Sequence, residues 1–354
     1  MLNYIIRRLV LVPVLLLGTT ILVFLMVQLL SPSERSALWL RDVPRNEAAW
    51  DSAIKMYCLD CPIYVQYWNW MGGVVDPVTH ERRGGILRLN LGYSRTAHQD
   101  VIDMLKQRFP ATLELALWAV IPIVGGGVWL GVLSAVNHNK PIDQIARVFS
   151  IVGYSFPTFV FGLLVLMIFY ANLRWFPPGR LSDWASADVL SPSFHRYTML
   201  MTVDAILNLR FDIFLDALRH LVLPIITLSY LNWALMLRVT RSSMLETLRQ
   251  DYVTTARAKG LAERAVVNKH ARPNALIPVI TIGGATVVVL LNGVVITETI
   301  FDYPGIGSAA ALAALQLDVV TVLGFVLFTG VIIVLANLLI DLLYVFIDPR
   351  VTLE

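Results

Sequence analysis

Long apolar runs alternate with shorter polar segments along this chain, and six of the runs are long enough, or nearly so, to cross a bilayer. They cover residues 9–30, 111–136, 148–171, 221–237, 276–297 and 319–340. About 20 residues rising 1.5 Å each span roughly 30 Å of hydrocarbon. Helices suit that setting because each closes its own backbone hydrogen bonds where lipid offers no partner. The pattern predicts an all-α membrane protein with six transmembrane helices. The fourth run is the shortest, and Arg238 at its end is placed to snorkel to the interface. A seventh stretch, around 197–218, holds Asp204, Arg210, Asp212 and Asp216. Each central Asp or Arg costs about 2.5–3.5 kcal/mol on insertion. That stretch is read as an outer amphipathic segment on the surface or against the bundle.

Composition supports the membrane class over the two soluble domains that a length of 354 residues suggests. The chain is 57% hydrophobic and 15% charged, with a mean hydropathy of +0.67, whereas soluble domains carry about 25% charge. A net charge of +3 is too small to imply a nucleic-acid partner, and two cysteines exclude a disulfide framework or a Cys-rich metal cluster. With the N-terminus inside, the inner segments hold 13 Lys and Arg and the short outer loops five. The 31–110 loop is left out of that count, since long segments translocate largely regardless of charge. Both termini are therefore expected in the cytoplasm. The first run has 22 apolar residues without a small-residue cleavage site and reads as an uncleaved anchor.

Three regions follow: a tail and first helix over 1–30, an extracytoplasmic loop domain over 31–110, and a five-helix core over 111–354. The loop domain carries Trp39, Trp50, Trp68 and Trp70 and ends in a helix with Val101, Leu105 and Phe109 at helical spacing. That face is expected to pack on the bundle rather than form a binding groove. Cys58 and Cys61 form C-L-D-C. Asp60 and Pro62 do not supply the cationic setting of a redox-active thiol, which leaves a structural disulfide or two idle thiols.

The inner loop 238–273 is the most informative. Helix is predicted through D-Y-V-T-T-A-R-A, stopping at Gly260, with a second helix over 262–270 ended by Pro273. Glycine there permits a left-handed residue and a sharp turn. Tyr252, Val253, Ala256 and Leu261 are expected to form an apolar ridge flanked by Arg257, Lys259 and Arg264. Two readings stay open on the residues alone. One is the solvated face of a positive-inside loop; the other is a helix shown to a cytoplasmic partner, with Ala256, Ala258 and Gly260 allowing close approach.

The run D-Y-V-T-T-A-R-A-K-G-L, followed by K-H-A-R-P-N-A-L-I-P-V-I-T, resembles the cytoplasmic "EAA" loop of ABC-importer permeases of the oligopeptide/dipeptide/nickel branch. Further segments fit that branch in order: Y-I-I-R-R-L, N-L-G-Y-S before R-F-P-A-T-L-E-L, S-F-P-T-F-V-F-G, L-R-W-F-P-P-G, R-H-L-V-L-P-I-I-T-L, T-E-T-I-F-D-Y-P-G-I-G and D-L-L-Y-V-F-I-D-P-R. The likeness covers nearly the whole chain and is closest to the first of two permease subunits. Thr254, Thr255, Asn90, Arg272 and Pro273 depart from the usual pattern. The resemblance implies a type I ABC-importer permease fold in the bacterial inner membrane, with a small extracytoplasmic insertion after the first helix. It further implies half of a pathway for peptides. A nickel chelate, glutathione or a glycoside is the alternative cargo. The implied partners are a second homologous permease, two ATP-binding cassette ATPase subunits and an extracytoplasmic solute-binding protein. Ala256, Arg257, Ala258, Lys259, Gly260 and Leu261 would couple to the ATPases. The chain carries no G-x-x-x-x-G-K-[ST], so it is expected not to be an enzyme, with ATP and Mg²⁺ held on the partner ATPases.

Other constellations are weaker. His80, His98, His138, His195, His220 and His270 are scattered, without H-E-x-x-H. G-Y-S-F-P lacks the second glycine of a nucleophile elbow, and its proline is expected to kink a helix. Gly125, Gly126 and Gly127 read as a close-packing site, and G-I-G-S at 305–308 as an outer turn. Glu114 and Glu298, near helix ends, are expected to reach water, and Asp341 to pair with an arginine such as Arg147; all three are read as structural. An ion-coupled secondary transporter would call for inverted repeats with midplane charge, and a membrane enzyme for a nucleophile–base set. Neither is evident.

Overall fold

The computed structural model describes residues 2–40, 47–75, 80 and 82–347. In chain order the main helices begin with α1 (Leu2–Val27), α2 (Glu47–Met56) and α3 (Ile63–Gly72). Two antiparallel ribbons follow, β1 (Val74–Val75) with β2 (Arg82–Arg83) and β3 (Tyr93–Ser94) with β4 (Gln99–Asp100). Then come α4 (Val101–Val136), α5 (Pro141–Ser155), α6 (Thr158–Leu166), α7 (Asp183–Val189), α8 (Met201–Leu207) and α9 (Phe211–Thr247). The series ends with α10 (Asp251–Ala258), α11 (Ile277–Leu291), α12 (Val295–Ile300), α13 (Ile306–Leu315) and α14 (Val319–Ile347).

Among the described residues, four helices are by themselves long and apolar enough to cross a membrane: α1, α4, α9 and α14. Two further candidates are broken pairs, Pro141–Ser155 with Thr158–Asn172, bent by 102°, and Glu263–Ala275 with Ile277–Leu291, bent by 54°. Counting each pair as one span gives six. The sharper bend has a local cause. A residue before proline is driven out of the helical region, and Phe156 is extended at φ −79°, ψ 129° ahead of Pro157. Pro273, by contrast, does not stop its helix. It sits in the first turn of Arg272–Ala275, where its missing N–H is harmless, and a π-helical stretch Val266–Ala271 leads into it. G-I-G-S is likewise no simple turn, since Ile306 opens α13.

The chain divides into two units, one holding residues up to Phe109 with Ile306–Val345, the other Pro110–Gly305. In the first, Val23 and Val27 of α1 pack with Leu323 and Leu327 of α14. Val101 and Leu105 lie buried among Ile306, Ala309, Val320 and Phe325, with Phe109 alongside. The segment between α1 and α4 thus shares a core with the first and last helices. Cys58 and Cys61 are joined as a disulfide. Asp318 accepts hydrogen bonds from Ser94 Oγ (2.6 Å), Thr96 Oγ1 (2.7 Å) and the Thr321 amide (3.2 Å). Burial pushes its carboxyl up, but these donors outweigh it and hold the group below its ordinary value. Asp341 pairs with Arg8 at 2.8 Å rather than with Arg147.

The second unit is built on the seam between α4 and α9. A side chain on Gly126 would strike the Trp233 ring, one on Gly127 would strike Met236, and one on Gly131 would strike Thr240. Trp233 donates to the Pro122 carbonyl at 2.8 Å through the space Gly126 leaves. The acids expected to meet water are buried instead. Glu114, 2% exposed, accepts from Arg180 Nη2 (2.7 Å), the Thr202 amide (2.6 Å) and Thr202 Oγ1 (2.8 Å), with Tyr303 Oη at 3.3 Å. Glu298 is fully buried and accepts from Thr112 Oγ1 at 2.8 Å. The 197–218 stretch forms α8 and the start of α9, with Asp204 and Asp216 turned inward. Asp204 accepts from the Thr198 and Met199 amides, and Asp216 from the Ser182 amide and hydroxyl.

Candidate functional site

The informative loop folds into α10 and a tight cap. Gln250 is extended before the helix and Asp251 sits in its first turn, where a negative charge favours the dipole. Val253 and Ala256, three residues apart, share the inward face. They are buried with Met244 of α9, Ala135 of α4, and Val266, Val267, Ala271 and Ala275 of the stretch leading to α11. One short helix is therefore pinned to three longer elements.

The cap is a Schellman motif. The Gly260 amide donates to the Arg257 carbonyl (2.9 Å) and the Leu261 amide to the Ala256 carbonyl (3.4 Å), with Gly260 left-handed at φ +78°. A side chain at Gly260 would have no atom within 4 Å, so the glycine is required by conformation, not by space. Arg257 donates to Glu263 at 2.7 and 3.1 Å and to the Leu248 carbonyl at 3.3 Å. Hydrogen bonding to Glu263 raises the guanidinium above its ordinary value. This clasp ties the end of α10 to the residues after the turn.

The expected ridge is split. Val253 and Ala256 face inward, whereas Tyr252 and Leu261 are 44% and 42% exposed. Of the six residues singled out for coupling, Ala256 is buried, and Arg257, Ala258, Lys259, Gly260 and Leu261 form the exposed rim.

Sequence reasoning missed a second feature beside this loop. Asp143, fully buried at the start of α5, accepts from Arg241 Nε and Nη2 of α9 (both 2.8 Å), from Ser134 at the end of α4 and from the Asn139 amide. In the sequence it is only an acid in a helix's first turn, and its partner lies 98 residues away.

Chemistry elsewhere is sparse. Ser182, Asp216 and His220 meet, but not as a relay: Ser182 Oγ lies 3.2 Å from His220 Nε2 yet donates to Asp216 (2.7 Å), and the other ring nitrogen, Nδ1, lies on the Pro178 carbonyl (2.9 Å) and not on an acid. Among the described residues no three His, Cys, Asp or Glu side chains converge as a metal site.

Known proteins resemble this chain in sequence. Residues 127–353 match the family model described as binding-protein-dependent transport system inner membrane component, and residues 1–116 match its N-terminal counterpart. The chain is 38% identical over 335 residues to the probable D,D-dipeptide transport system permease protein DdpB of Escherichia coli (strain K12), covering 94% of this chain and 93% of that protein. It is 37% identical over 352 residues to the di/tripeptide transport system permease protein DppB of Pseudomonas aeruginosa (strain UCBPP-PA14), covering 99% of each. It is 34% identical over 348 residues to the oligopeptide transport system permease protein AppB of Bacillus subtilis (strain 168), covering 98% of each. With apolar helices enough for several crossings and a family model over most of its length, the chain belongs to the family of inner membrane components of binding-protein-dependent transport systems, as a multi-pass permease subunit.

Proposed function

We propose that this permease forms half of the translocation pathway of an ATP-driven importer for peptides, and that α10 with its Gly260 cap is the handle by which the motor moves it. The observation that carries the reading is the pinning of Val253 and Ala256. A force on the exposed rim of Arg257, Ala258, Lys259, Gly260 and Leu261 passes into α9, α4 and the α11 approach without a flexible joint. Such an element acts as a rigid lever on a two-state bundle. ATP and Mg²⁺ sit on two separate ATP-binding cassette ATPase subunits. A second homologous permease supplies the other half of the pathway, and an extracytoplasmic solute-binding protein delivers cargo. Both termini and the α10 loop face the cytoplasm, in keeping with the excess of inner Lys and Arg.

Peptide is preferred over a nickel chelate, glutathione or a glycoside because all three relatives described are named for peptide transport. The test is purification of the chain with its partners, followed by uptake into proteoliposomes. ATP-dependent accumulation of a dipeptide supports the proposal. Uptake by the lone chain driven by an ion gradient, or ATP-dependent uptake of another cargo without peptide, overturns it.

A further inference from the structure

Two cavities lie end to end along the seam of α5 and α9. The helices run antiparallel there, since Asp143 meets Arg241 near one end and Gly153 lies against Tyr230 farther along. The first cavity, about 390 Å³, is walled by Phe149, Phe156, Phe161, Tyr230 and Trp233 and includes Ser229. The second, about 740 Å³, is lined by four arginines, Arg147, Arg238, Arg241 and Arg249, against one acid, Glu246, with Ser242 between them. Phe149 of the first is the chain neighbour of Ser150 of the second, and Trp233 lies one helical turn before Leu237, which lines the second.

Two observations make these more than apolar surface. Serine inside a helix commonly returns its hydroxyl to a carbonyl one turn back, as Thr227 does to Leu223 at 2.9 Å. Ser229 does not: the residue is 2% exposed and its Oγ has no hydrogen-bond partner among the described residues. Second, Arg241 is engaged by Asp143, while Arg147, Arg238 and Arg249 have no ion-pair partner among the described residues.

We propose that this seam is the wall of the cargo pathway supplied by this chain, its aromatic cavity taking apolar side chains and its arginines the carboxylate of a peptide in transit. The inference rests on the reading of the protein as a peptide importer. An occupant must offer apolar bulk, a hydrogen-bonding group for Ser229 and a negative charge one helical turn or more away. A peptide carries all three on one backbone. A lipid tail satisfies the rings but leaves the hydroxyl unpartnered. The volumes fall within the roughly 300–1,000 Å³ of small-ligand sites.

The test uses the whole importer in membrane vesicles, with Phe161→Cys or Ser242→Cys as the probe, since both line the cavities and neither is fully buried. Cys58 and Cys61 are already joined, so this chain has no competing thiol. An anionic methanethiosulfonate reagent is expected to modify both positions in the resting complex, and severalfold more slowly during turnover with saturating dipeptide. At Ser242→Cys it should outpace a cationic reagent by about tenfold, because Arg147, Arg238 and Arg249 outnumber the single acid Glu246 in the lining and a cleft of net positive charge concentrates anions. Arg147→Gln with Arg238→Gln should abolish that preference. Phe149→Cys, at another exposed position of the aromatic wall, replaces Phe161→Cys if the latter fails to assemble. Inert thiols in a complex with normal uptake, or rates unaffected by peptide, overturn this inference alone and mean that lipid or the second permease covers the seam. Absence of peptide uptake by the unaltered complex overturns the importer reading and this inference with it.

Discussion

Replacing Gly260 with valine isolates the contribution of one backbone conformation to transport. At φ +78° an L-residue is left-handed, which costs roughly 1–2 kcal/mol and more when the side chain is branched at Cβ. Nothing lies within 4 Å of the added Cβ, so no clash adds to that cost. The strain falls on two hydrogen bonds, Gly260 to Arg257 and Leu261 to Ala256, whose carbonyls water can satisfy once they open. Val253 and Ala256 stay in their cluster, so the chain still folds and inserts. At about 1.4 kcal/mol per tenfold, the capped geometry loses roughly 5- to 30-fold in population. Proteoliposomes containing all partner subunits should then show ATP hydrolysis retained and peptide uptake per ATP reduced. Gly260→Asn, which tolerates the left-handed region, should keep most uptake, Gly260→Ala less, and Gly260→Val least. Wild-type uptake in Gly260→Val, or equal loss in Gly260→Asn and Gly260→Val, refutes the lever.

Gly127→Val, which drives a side chain into Met236, should destabilise the solubilised protein by about 1–3 kcal/mol, as overpacking does; Gly125→Val, with open space around it, should leave the melting temperature unchanged. Glu114→Ala removes the acid facing Arg180 and should cost about 3–5 kcal/mol in thermal unfolding, because a buried pair loses one member, with Glu114→Gln milder. Asp318 has a lowered pKa, so its stabilisation is complete above the ordinary carboxylate value and is lost as pH falls through the lowered one. Amide-exchange protection at β3 and β4 should therefore hold from pH 6 down to about pH 4 and fall below it, and Asp318→Asn should already show low protection at pH 6.

Much of this fold can be read from the chain because the bilayer imposes a length rule that sequence obeys openly. The break at Pro157 was legible too, since proline constrains the residue before it; its 102° magnitude was not, because packing sets the angle. Glu114 and Glu298 were misplaced for a different reason. Their donors, Arg180 and Thr202 for one and Thr112 for the other, are 66 to 186 residues distant, and helix periodicity says nothing about neighbours so remote. The same gap assigned Arg147 to Asp341 when α1 brings Arg8. In the loop after α9, the sequence at Gly260 correctly marks the cap. The ridge failed because Tyr252 precedes Val253 by one residue, about 100° around the helix, and Leu261 lies beyond the cap, where that period no longer holds.

The proposed handle, α10, packs on the same helix that walls the arginine seam, and this constrains how a stroke would be delivered. α9 runs unbroken from Phe211 to Thr247. Its Met244 is locked against Val253 and Ala256, while Leu237, Arg238, Arg241 and Leu245, on the same length of helix, line the larger cavity. A displacement of α10 therefore moves that wall directly. Asp143 holds Arg241, so the start of α5 follows α9 instead of sliding past it. The 102° break after Ser155 leaves the aromatic end of the seam as the first place where the two walls can part. On the proposed lever, opening begins at Phe156, Phe161 and Tyr230 and not at the arginines, which requires cargo to leave the apolar cavity before its carboxylate is released.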